Sequence, residues 1–419
     1  MEEQEKVILV GVETAGQTDF LASMEELANL TQTANGQVVE TLTQKRQNFD
    51  RKTLIGSGKL QELENMVEAH EADLVIFNQE LSPRQGQYLS EQLGVKVIDR
   101  IQLILDIFAL RAHSKEGKLQ VELAQLNYLL PRLSGMGTSL SRLGAGIGTR
   151  GPGESKLESD RRHIRDKILQ IKREVQEVGR KRQVARQKRL SGSTFRIGLL
   201  GYTNAGKSSI LNLLTETNTY EEDQLFATLD PLTKRWRFPQ GFEVTVTDTV
   251  GFIQDLPTQL IDAFQSTLEE SAEMDLLLHV VDAASPTRLS QEETVLGLLK
   301  DLDLMEIPRL TVYNKADLLG DESFVPTLFP NCLISTRSEN GREILTTAVK
   351  REMLEILEPY VVVIAANQGD KLARLKTETL IVQENFDEET ERYQIKGFAK
   401  KNMPLIERND ASDDEKNAN

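Results

Sequence analysis

An eight-residue string constrains this chain more than any other feature. Residues 201–208 read Gly-Tyr-Thr-Asn-Ala-Gly-Lys-Ser, which fits the pattern of a phosphate-binding P-loop. The apolar run 195–200 precedes the string and the helical run 209–214 follows it, which is the context that a P-loop requires. By itself the string also fits an ordinary glycine turn between a strand and a helix. The motifs further along the chain favour the P-loop.

Four segments follow in the order in which a guanine-nucleotide switch presents its parts. Phe226–Asp230 lies in a polar segment, and Asp248–Gly251 closes a strand. Asn314–Asp317 closes a later strand, and Ser335–Arg337 follows another apolar run. This order predicts one nucleotide site at the ends of successive strands. The predicted nucleotide-binding residues are Gly201, Tyr202, Thr203, Asn204, Ala205, Gly206, Lys207, Ser208, Phe226, Ala227, Thr228, Leu229, Asp230, Asp248, Thr249, Val250, Gly251, Asn314, Lys315, Ala316, Asp317, Ser335, Thr336 and Arg337.

The phosphate end of this site needs backbone amides, a cation and metal ligands. Amides at a helix N-terminus favour phosphate, and Lys207 is placed to reach the β- and γ-phosphates. We predict that Ser208, Thr228 and Asp248 hold Mg²⁺, which prefers oxygen ligands. Taken alone, Thr228 would also fit an ordinary loop residue. The Gly251 amide is predicted to contact the γ-phosphate.

The base end of the site predicts GTP and GDP as ligands. The carboxylate of Asp317 accepts hydrogen bonds from guanine N1–H and the 2-amino group. Adenine does not present these two donors, so it would leave a carboxylate without partners. A backbone amide of Ser335–Arg337 is predicted to bind guanine O6.

Hydrolysis of GTP is predicted to be slow without help. Phe252 stands where many GTPases carry a water-positioning glutamine, and a phenyl ring cannot orient water. A partner or a cation would then accelerate turnover. Asn204 occupies the place of a K⁺ ligand in potassium-activated relatives of this class, although it would equally serve to shape the loop. The predicted catalytic residues are Lys207, Thr228, Gly251 and Asn204.

Composition describes a cytoplasmic protein of several domains. The 419 residues exceed what one core holds, and 39% hydrophobic with 27% charged residues are typical of a globular chain. Cys332 is the only cysteine, so no intramolecular disulfide forms. The acidic start lacks an apolar signal region, and no uncharged run is long enough for a bilayer. We expect a cytoplasmic monomer without membrane insertion and without DNA as a partner.

The fold class predicted is α/β. A P-loop GTPase domain with a mostly parallel sheet is preceded by a small α/β domain that carries a long helical hairpin arm, and is followed by a small α+β domain. The predicted boundaries are 1–110 for the first domain, 111–192 for the arm, 193–358 for the GTPase domain, 359–405 for the last domain and 406–419 for a disordered acidic tail.

Short β-like runs alternate with amphipathic stretches in the first hundred residues. Strands are predicted at 7–12, 38–42, 74–77 and 95–98, and helices at 21–30, 60–69 and 83–93. Gly56–Lys59 resembles a nucleotide loop but lacks the first glycine of a P-loop. We interpret it as a loop and helix cap.

The predicted arm combines a glycine-rich segment with a basic helix. The helical pattern of 101–130 gives way at 133–153 to seven glycines, with Arg132, Arg142 and Arg150 nearby and no acid before Glu154. Exposed amides in such a segment suit phosphate, although a plain linker has the same composition. From 156 to 189 there are 13 Lys or Arg and 5 Asp or Glu, inside a chain of net charge −15. These residues predict an RNA contact, whereas the alternative is a solvated helix.

With these motifs in view, the chain resembles HflX-type GTPases of the Obg-HflX branch of translation GTPases. The resemblance lies in 201–208, 226–231 and 248–252, and upstream in 82–85, 120–126, 148–154 and 160–162. It implies association with the large (50S) ribosomal subunit and its rRNA through the glycine-rich loop and the basic arm. It further implies separation of stalled or idle ribosomal subunits under stress.

Two other functions also fit a GTPase of this kind. One is a switch that assists ribosome biogenesis or tRNA modification, but the tRNA-modifying form carries a carboxyl-terminal catalytic cysteine and Cys332 lies inside the nucleotide domain. The other is an RNA-binding switch with negligible turnover. Measuring GTP hydrolysis with and without ribosomal subunits separates these functions from the first.

Overall fold

Two compact units make up the protein, the first built from the amino-terminal part of the chain to residue 184 and the second mainly from residue 185 onwards. The computed structural model describes residues 4–15, 19–133, 152–190, 194–215, 232–238, 241–248, 251–253, 272–320, 323–401, 403 and 406. Within the helix 152–190 it describes side chains from 158 to 180. The predicted tail 406–419 lies outside this part except for residue 406.

The first unit holds a four-stranded parallel sheet in the order β2-β1-β3-β4. Helices cover both of its faces, so successive residues of β1 are buried, as parallel sheets require. Ile8, Val75 and Phe77 pack there against Leu63 and Leu89 of two helices. The elements are β1 Lys6–Thr14, α1 Phe20–Thr33, β2 Gln37–Arg46, α2 Ser57–His70, β3 Leu74–Phe77, α3 Pro83–Leu93, β4 Lys96–Asp99, α4 Arg100–Arg111, α5 Lys115–Arg132 and α6 Pro152–Leu190.

Local capping explains where several of these helices begin. The Ser82 side chain accepts from the Gln85 amide in a capping box, with Pro83 in the first turn of α3. Gly56 caps α2 from an extended conformation, in agreement with the interpretation of 56–59 as a helix cap.

The single helical stretch predicted for 101–130 is wrong. The chain turns out of α4 at Ala112, whose ψ is 116°, and the Ser114 hydroxyl accepts from the Gly117 amide at 2.9 Å to begin α5. A serine cap therefore outweighs the continuous apolar spacing. The long basic helix is present as α6, and Ile168 and Ile171 of its apolar stripe are buried.

The second unit contains a six-stranded sheet in the order β10-β9-β8-β5-β7-β6, parallel except for β6. Its strands and helices are β5 Phe195–Gly201, α7 Lys207–Thr215, β6 Leu232–Arg237, β7 Glu243–Asp248, β8 Leu276–Asp282, α8 Arg288–Asp301, β9 Arg309–Asn314, β10 Asn331–Leu333 and α9 Gly341–Ile356. The central position of β5 places the P-loop string at the carboxyl edge of the sheet, where α/β proteins bind ligands. The α/β fold class is confirmed.

A three-stranded antiparallel sheet lies later in the same unit, in the order β11-β13-β12. It comprises β11 Glu358–Ala365, α10 Gly369–Glu378, β12 Leu380–Asp387 and β13 Arg392–Ala399. Leu375 of the helix packs on Val362 and Ile395 of the strands. Because both sheets belong to one unit, the predicted boundary at 358 stays a prediction. Over the described helices, none has the length and apolar character of a bilayer-spanning segment.

Candidate guanine-nucleotide site

The P-loop adopts backbone angles that favour the glycines and the asparagine it carries. Gly201 and Gly206 have φ of 152° and 95°, and Asn204 lies in the left-handed region at 58°. A β-carbon on Gly201 would lie 2.1 Å from the Val280 carbonyl oxygen, and one on Gly206 would lie 2.2 Å from Asn314 Nδ2. Glycine at both positions therefore lets the loop pass close to β8 and to the Asn314 side chain.

Lys207 lies inside the curve of this loop. Its ammonium donates to the carbonyl oxygens of Tyr202 at 2.9 Å and Gly201 at 3.2 Å. Burial lowers the pKa of Lys207 to about 8, and the nearby Asp248 carboxylate opposes this shift. A phosphate beside the ammonium would favour its charged form, so nucleotide binding and protonation of this lysine reinforce each other.

The residues predicted to hold Mg²⁺ lie together where they are described. Ser208 Oγ donates to Asp248 Oδ2 at 2.8 Å, and Asp248 is fully buried at the end of β7. A hydroxyl and a carboxylate are the hard oxygen ligands that Mg²⁺ takes beside phosphate oxygens. This donor set fits the ion.

The base-binding motifs are joined to the P-loop through Asn314. Its Nδ2 donates to the Ala205 carbonyl at 3.1 Å, and its Oδ1 accepts from the Thr336 amide at 3.2 Å. One buried side chain thus connects the phosphate loop with the loop predicted to bind guanine O6. Ala316 also donates its amide to the Ile334 carbonyl at 3.1 Å.

Asp317 is exposed at this edge and is oriented by Ser335. Ser335 Oγ donates to Asp317 Oδ1 at 2.5 Å and accepts from the Arg337 amide at 3.1 Å. The hydrogen bond from Ser335 lowers the pKa of Asp317, so its carboxylate stays ionised as an acceptor for guanine. The motif predicts only a backbone contact for Ser335, and this role of its hydroxyl is not evident from the sequence.

Asp282 is a second residue that sequence reasoning missed. It ends β8, and its carboxylate pairs with Lys315 Nζ at 2.9 Å. Lys315 has a left-handed φ of 63°, so this ion pair helps to fix the turn between Asn314 and Asp317. An acidic residue at the end of an apolar strand, on the edge that carries the other motifs, was the available signal.

Part of the predicted site lies outside the described residues. This holds for Phe226, Ala227, Thr228, Leu229, Asp230, Thr249 and Val250. Gly251 and Phe252 are described and buried. The predicted roles of all these residues stay predictions.

Replacing Ser335 with alanine is expected to weaken GDP and GTP binding. Loss of one hydrogen bond to a charged group corresponds to about a threefold to tenfold change for an exposed carboxylate. Fluorescent-nucleotide titration measures the change, and Ser338→Ala serves as the control because its hydroxyl donates to the Ser335 carbonyl at 2.8 Å and not to Asp317. Equal affinities in wild type and Ser335→Ala would show that the hydroxyl does not orient the base acceptor.

The lysine and serine of the phosphate loop lie near a strand-end aspartate, and Asn314 connects that loop to the Asn-Lys-Ala-Asp turn that it begins. These features define a guanine-nucleotide-binding protein of the P-loop class. Three family models match the chain in sequence order. They are "GTP-binding GTPase N-terminal" over residues 21–109, "GTP-binding GTPase Middle Region" over 111–189 and "50S ribosome-binding GTPase" over 196–315.

Curated relatives cover most of the chain. GTPase HflX of Alkalihalophilus pseudofirmus is 51% identical over 404 residues, which is 96% of this chain and 95% of that protein. GTPase HflX of Escherichia coli is 43% identical over 317 residues, 76% of this chain and 74% of that protein. A solved GTP-binding protein of Sulfolobus solfataricus in complex with GDP is 25% identical with a TM-score of 0.45, covering 84% of this chain and 99% of that one. The chain belongs to the family of HflX GTPases, and it is a GTP-hydrolysing enzyme.

Proposed function

We propose that this GTPase, in its GTP-bound form, binds the large ribosomal subunit and separates the subunits of stalled or idle ribosomes under stress. The observation that carries the proposal is the excess of basic residues along α6, 13 Lys or Arg against 5 Asp or Glu over residues 156–189, in the same chain as a guanine-nucleotide site. The exposed basic side chains of α6 in the described part are Arg162, Arg165, Lys167, Lys172, Arg173 and Arg180. Of these, Lys167 pairs with Glu122 of α5. Guanidinium and ammonium groups suit the phosphates of RNA, which supply most of the affinity in such contacts.

The family assignment supports the ribosome as the partner, because the model matched over 196–315 describes a 50S ribosome-binding GTPase. The glycine-rich segment and the arm would approach rRNA, while the nucleotide domain supplies the switch. Lys207 would pair with the β- and γ-phosphates, and Ser208 and Asp248 would hold Mg²⁺. That ion neutralises phosphate charge when it is bound. The nucleotide-binding, metal-binding and catalytic residues predicted from the sequence, including Thr228 and Gly251, are all part of this proposal.

Comparing GTP hydrolysis with and without purified 50S subunits tests the partner. We expect slow intrinsic turnover, since Phe252 is buried and offers no group that orients water. We expect stimulation of at least about a hundredfold with 50S subunits, the range that completed electrostatic stabilisation supplies. Light scattering of 70S ribosomes with GTP tests subunit separation. Absence of both effects would refute the proposal.

Potassium is expected to raise the intrinsic rate through Asn204. This side chain is exposed at the turn of the P-loop, where an ion near the β- and γ-phosphates would neutralise developing charge. Turnover should be faster in K⁺ than in Na⁺ by about tenfold, and the difference should disappear in Asn204→Ala.

The alternative for Asn204, a residue that only shapes the loop, is tested by Asn204→Gly. Glycine accepts the φ of 58° without strain but has no side-chain oxygen, whereas alanine is strained there. If the ion prediction is correct, both variants lose the K⁺ effect. A glycine variant that keeps it would mean that Asn204 contributes backbone geometry alone.

A further inference from the structure

Asp99 is the centre of a buried polar cluster far along the chain from the nucleotide motifs. It ends β4 with 1% of its surface exposed. Its two carboxylate oxygens accept from the amides of Leu81 at 3.0 Å and Gln102 at 2.9 Å. They also accept from Tyr128 Oη at 2.7 Å and Arg132 Nη2 at 3.2 Å. Two donors therefore come from the segment before α3 and the start of α4, and two come from α5.

The Arg132 guanidinium has several partners besides Asp99. Its Nη2 also donates to the Leu81 carbonyl at 2.8 Å, and its Nη1 donates to the Tyr128 carbonyl at 3.1 Å. The guanidinium stacks on the Tyr128 ring, 3.3 Å from the ring centroid. Glu80 lies 3.9 Å from it at the rim. Only 20% of the Arg132 side chain is exposed, so this arginine is engaged within the protein and differs from the exposed arginines of α6.

These contacts fix the last turn of α5 in position. Helix ends ordinarily fray, because their last carbonyls have no partner within the helix. Here the side chains of Tyr128 and Arg132 fix that turn to β4 and to the segment before α3 through a buried ion pair. Such a pair keeps one geometry, because displacing Arg132 would leave the buried Asp99 carboxylate without this counter-charge. The glycine-rich segment begins immediately after this turn.

We infer that Asp99, Tyr128 and Arg132 form a clamp that sets the point and direction from which the glycine-rich segment leaves α5, and that ribosome-stimulated GTP hydrolysis depends on this clamp. The inference rests on the proposed function, in which that segment approaches rRNA. The chain continues from Leu133 directly into that segment, so the position and direction in which α5 ends fix where the segment starts. The three side chains are positioning residues, because they act on the segment and not on the nucleotide.

Two variants test the clamp in the full-length protein. Tyr128→Phe removes one hydroxyl and keeps the ring beneath Arg132, and Arg132→Lys keeps the charge but loses the planar fork. Tyr88→Phe is the matched control, since Tyr88 lies in the same unit and its hydroxyl makes no hydrogen bond within the described ranges. Amide hydrogen exchange of residues 126–133 reports the clamp without ribosomes. GTP hydrolysis with and without 50S subunits reports its consequence.

The expected result is faster exchange at 126–133 in both clamp variants, with intrinsic hydrolysis as in wild type. The 50S-stimulated rate should fall by about fivefold in each, within the range found for mutations that modulate coupling. Tyr88→Phe should change neither. Unchanged exchange in both variants, or faster exchange with full stimulation, would overturn the inference.

The experiment also separates this inference from the proposed function. If wild type itself shows no stimulation by 50S subunits, the proposed function fails and the role given to the clamp fails with it. The exchange data would still show whether the clamp fixes α5. A direct RNA contact by Arg132 is excluded as the cause if Tyr128→Phe has the same effect, because that variant changes no charge.

Discussion

Replacing Asp317 with asparagine is expected to convert the site from guanine to xanthine nucleotides. Guanine presents N1–H and a 2-amino group, which need an acceptor pair, and the asparagine amide offers a donor in place of one acceptor. Xanthine carries an oxygen at position 2, which accepts from that amide. The loss of GTP affinity should be about a hundredfold or more, because one of the two base donors would face a donor in place of its acceptor.

Local contacts should keep the side chain at position 317 in place after this substitution. The Asp317 carboxylate is oriented by Ser335 at 2.5 Å, and the preceding turn is fixed by the Lys315–Asp282 pair and by Asn314. An isosteric amide should therefore occupy the same place without rearrangement of the loop.

Nucleotide titrations with GTP and xanthosine triphosphate measure the change. Asp301→Asn at the exposed end of α8 is a matched control, because it makes the same chemical replacement away from the site. GTP affinity that is equal in wild type and in Asp317→Asn would refute the assignment of the base acceptor. Loss of GTP binding without gain of xanthosine triphosphate binding would indicate that the loop had collapsed, and thermal unfolding would detect that.

Most strands and helices of the first unit could be predicted from local signals in the sequence. The predicted strand 74–77 and helix 83–93 coincide with β3 and α3, because period and capping both lie within a few residues of chain. The same reasoning missed the end of α4, since apolar spacing continues through Ala112 while the cap at Ser114 competes with it. Long apolar patterns predict helices better than they predict where one helix ends and the next begins.

Contacts between residues distant in sequence were not predictable. In the sequence Arg132 stands beside the glycine-rich segment that contains Arg142 and Arg150, yet its partners Asp99 and Leu81 lie 33 and 51 positions away. The P-loop motif itself was evident, but the contact of Asn314 with Ala205, 109 positions apart, depends on the packing of the sheet. Motifs identify the groups at a site, whereas tertiary structure decides which groups orient them.

Replacing Arg142, Arg150, Arg161 and Arg162 with alanine is expected to abolish both 50S-stimulated hydrolysis and subunit separation. Arg162 is exposed and Arg161 partly exposed on α6, while Arg142 and Arg150 lie outside the described residues. None of the four is among the residues of the nucleotide site, so intrinsic GTP binding should equal that of wild type. The result would assign the RNA contact to the arm and not to the nucleotide domain.

Salt dependence gives this last prediction a second, quantitative measure. Each phosphate contact that is lost should reduce the slope of log affinity against log salt by about 0.7–0.9, because fewer counterions are released on binding. Co-sedimentation with 50S subunits over a salt series measures that slope. A matched control replaces four exposed basic residues of the second unit, Arg351, Arg374, Arg392 and Lys396, and so makes the same change in net charge. If the arm variant co-sediments and is stimulated as wild type while the control is impaired, the arm is a spacer and the carboxyl-terminal region makes the contact.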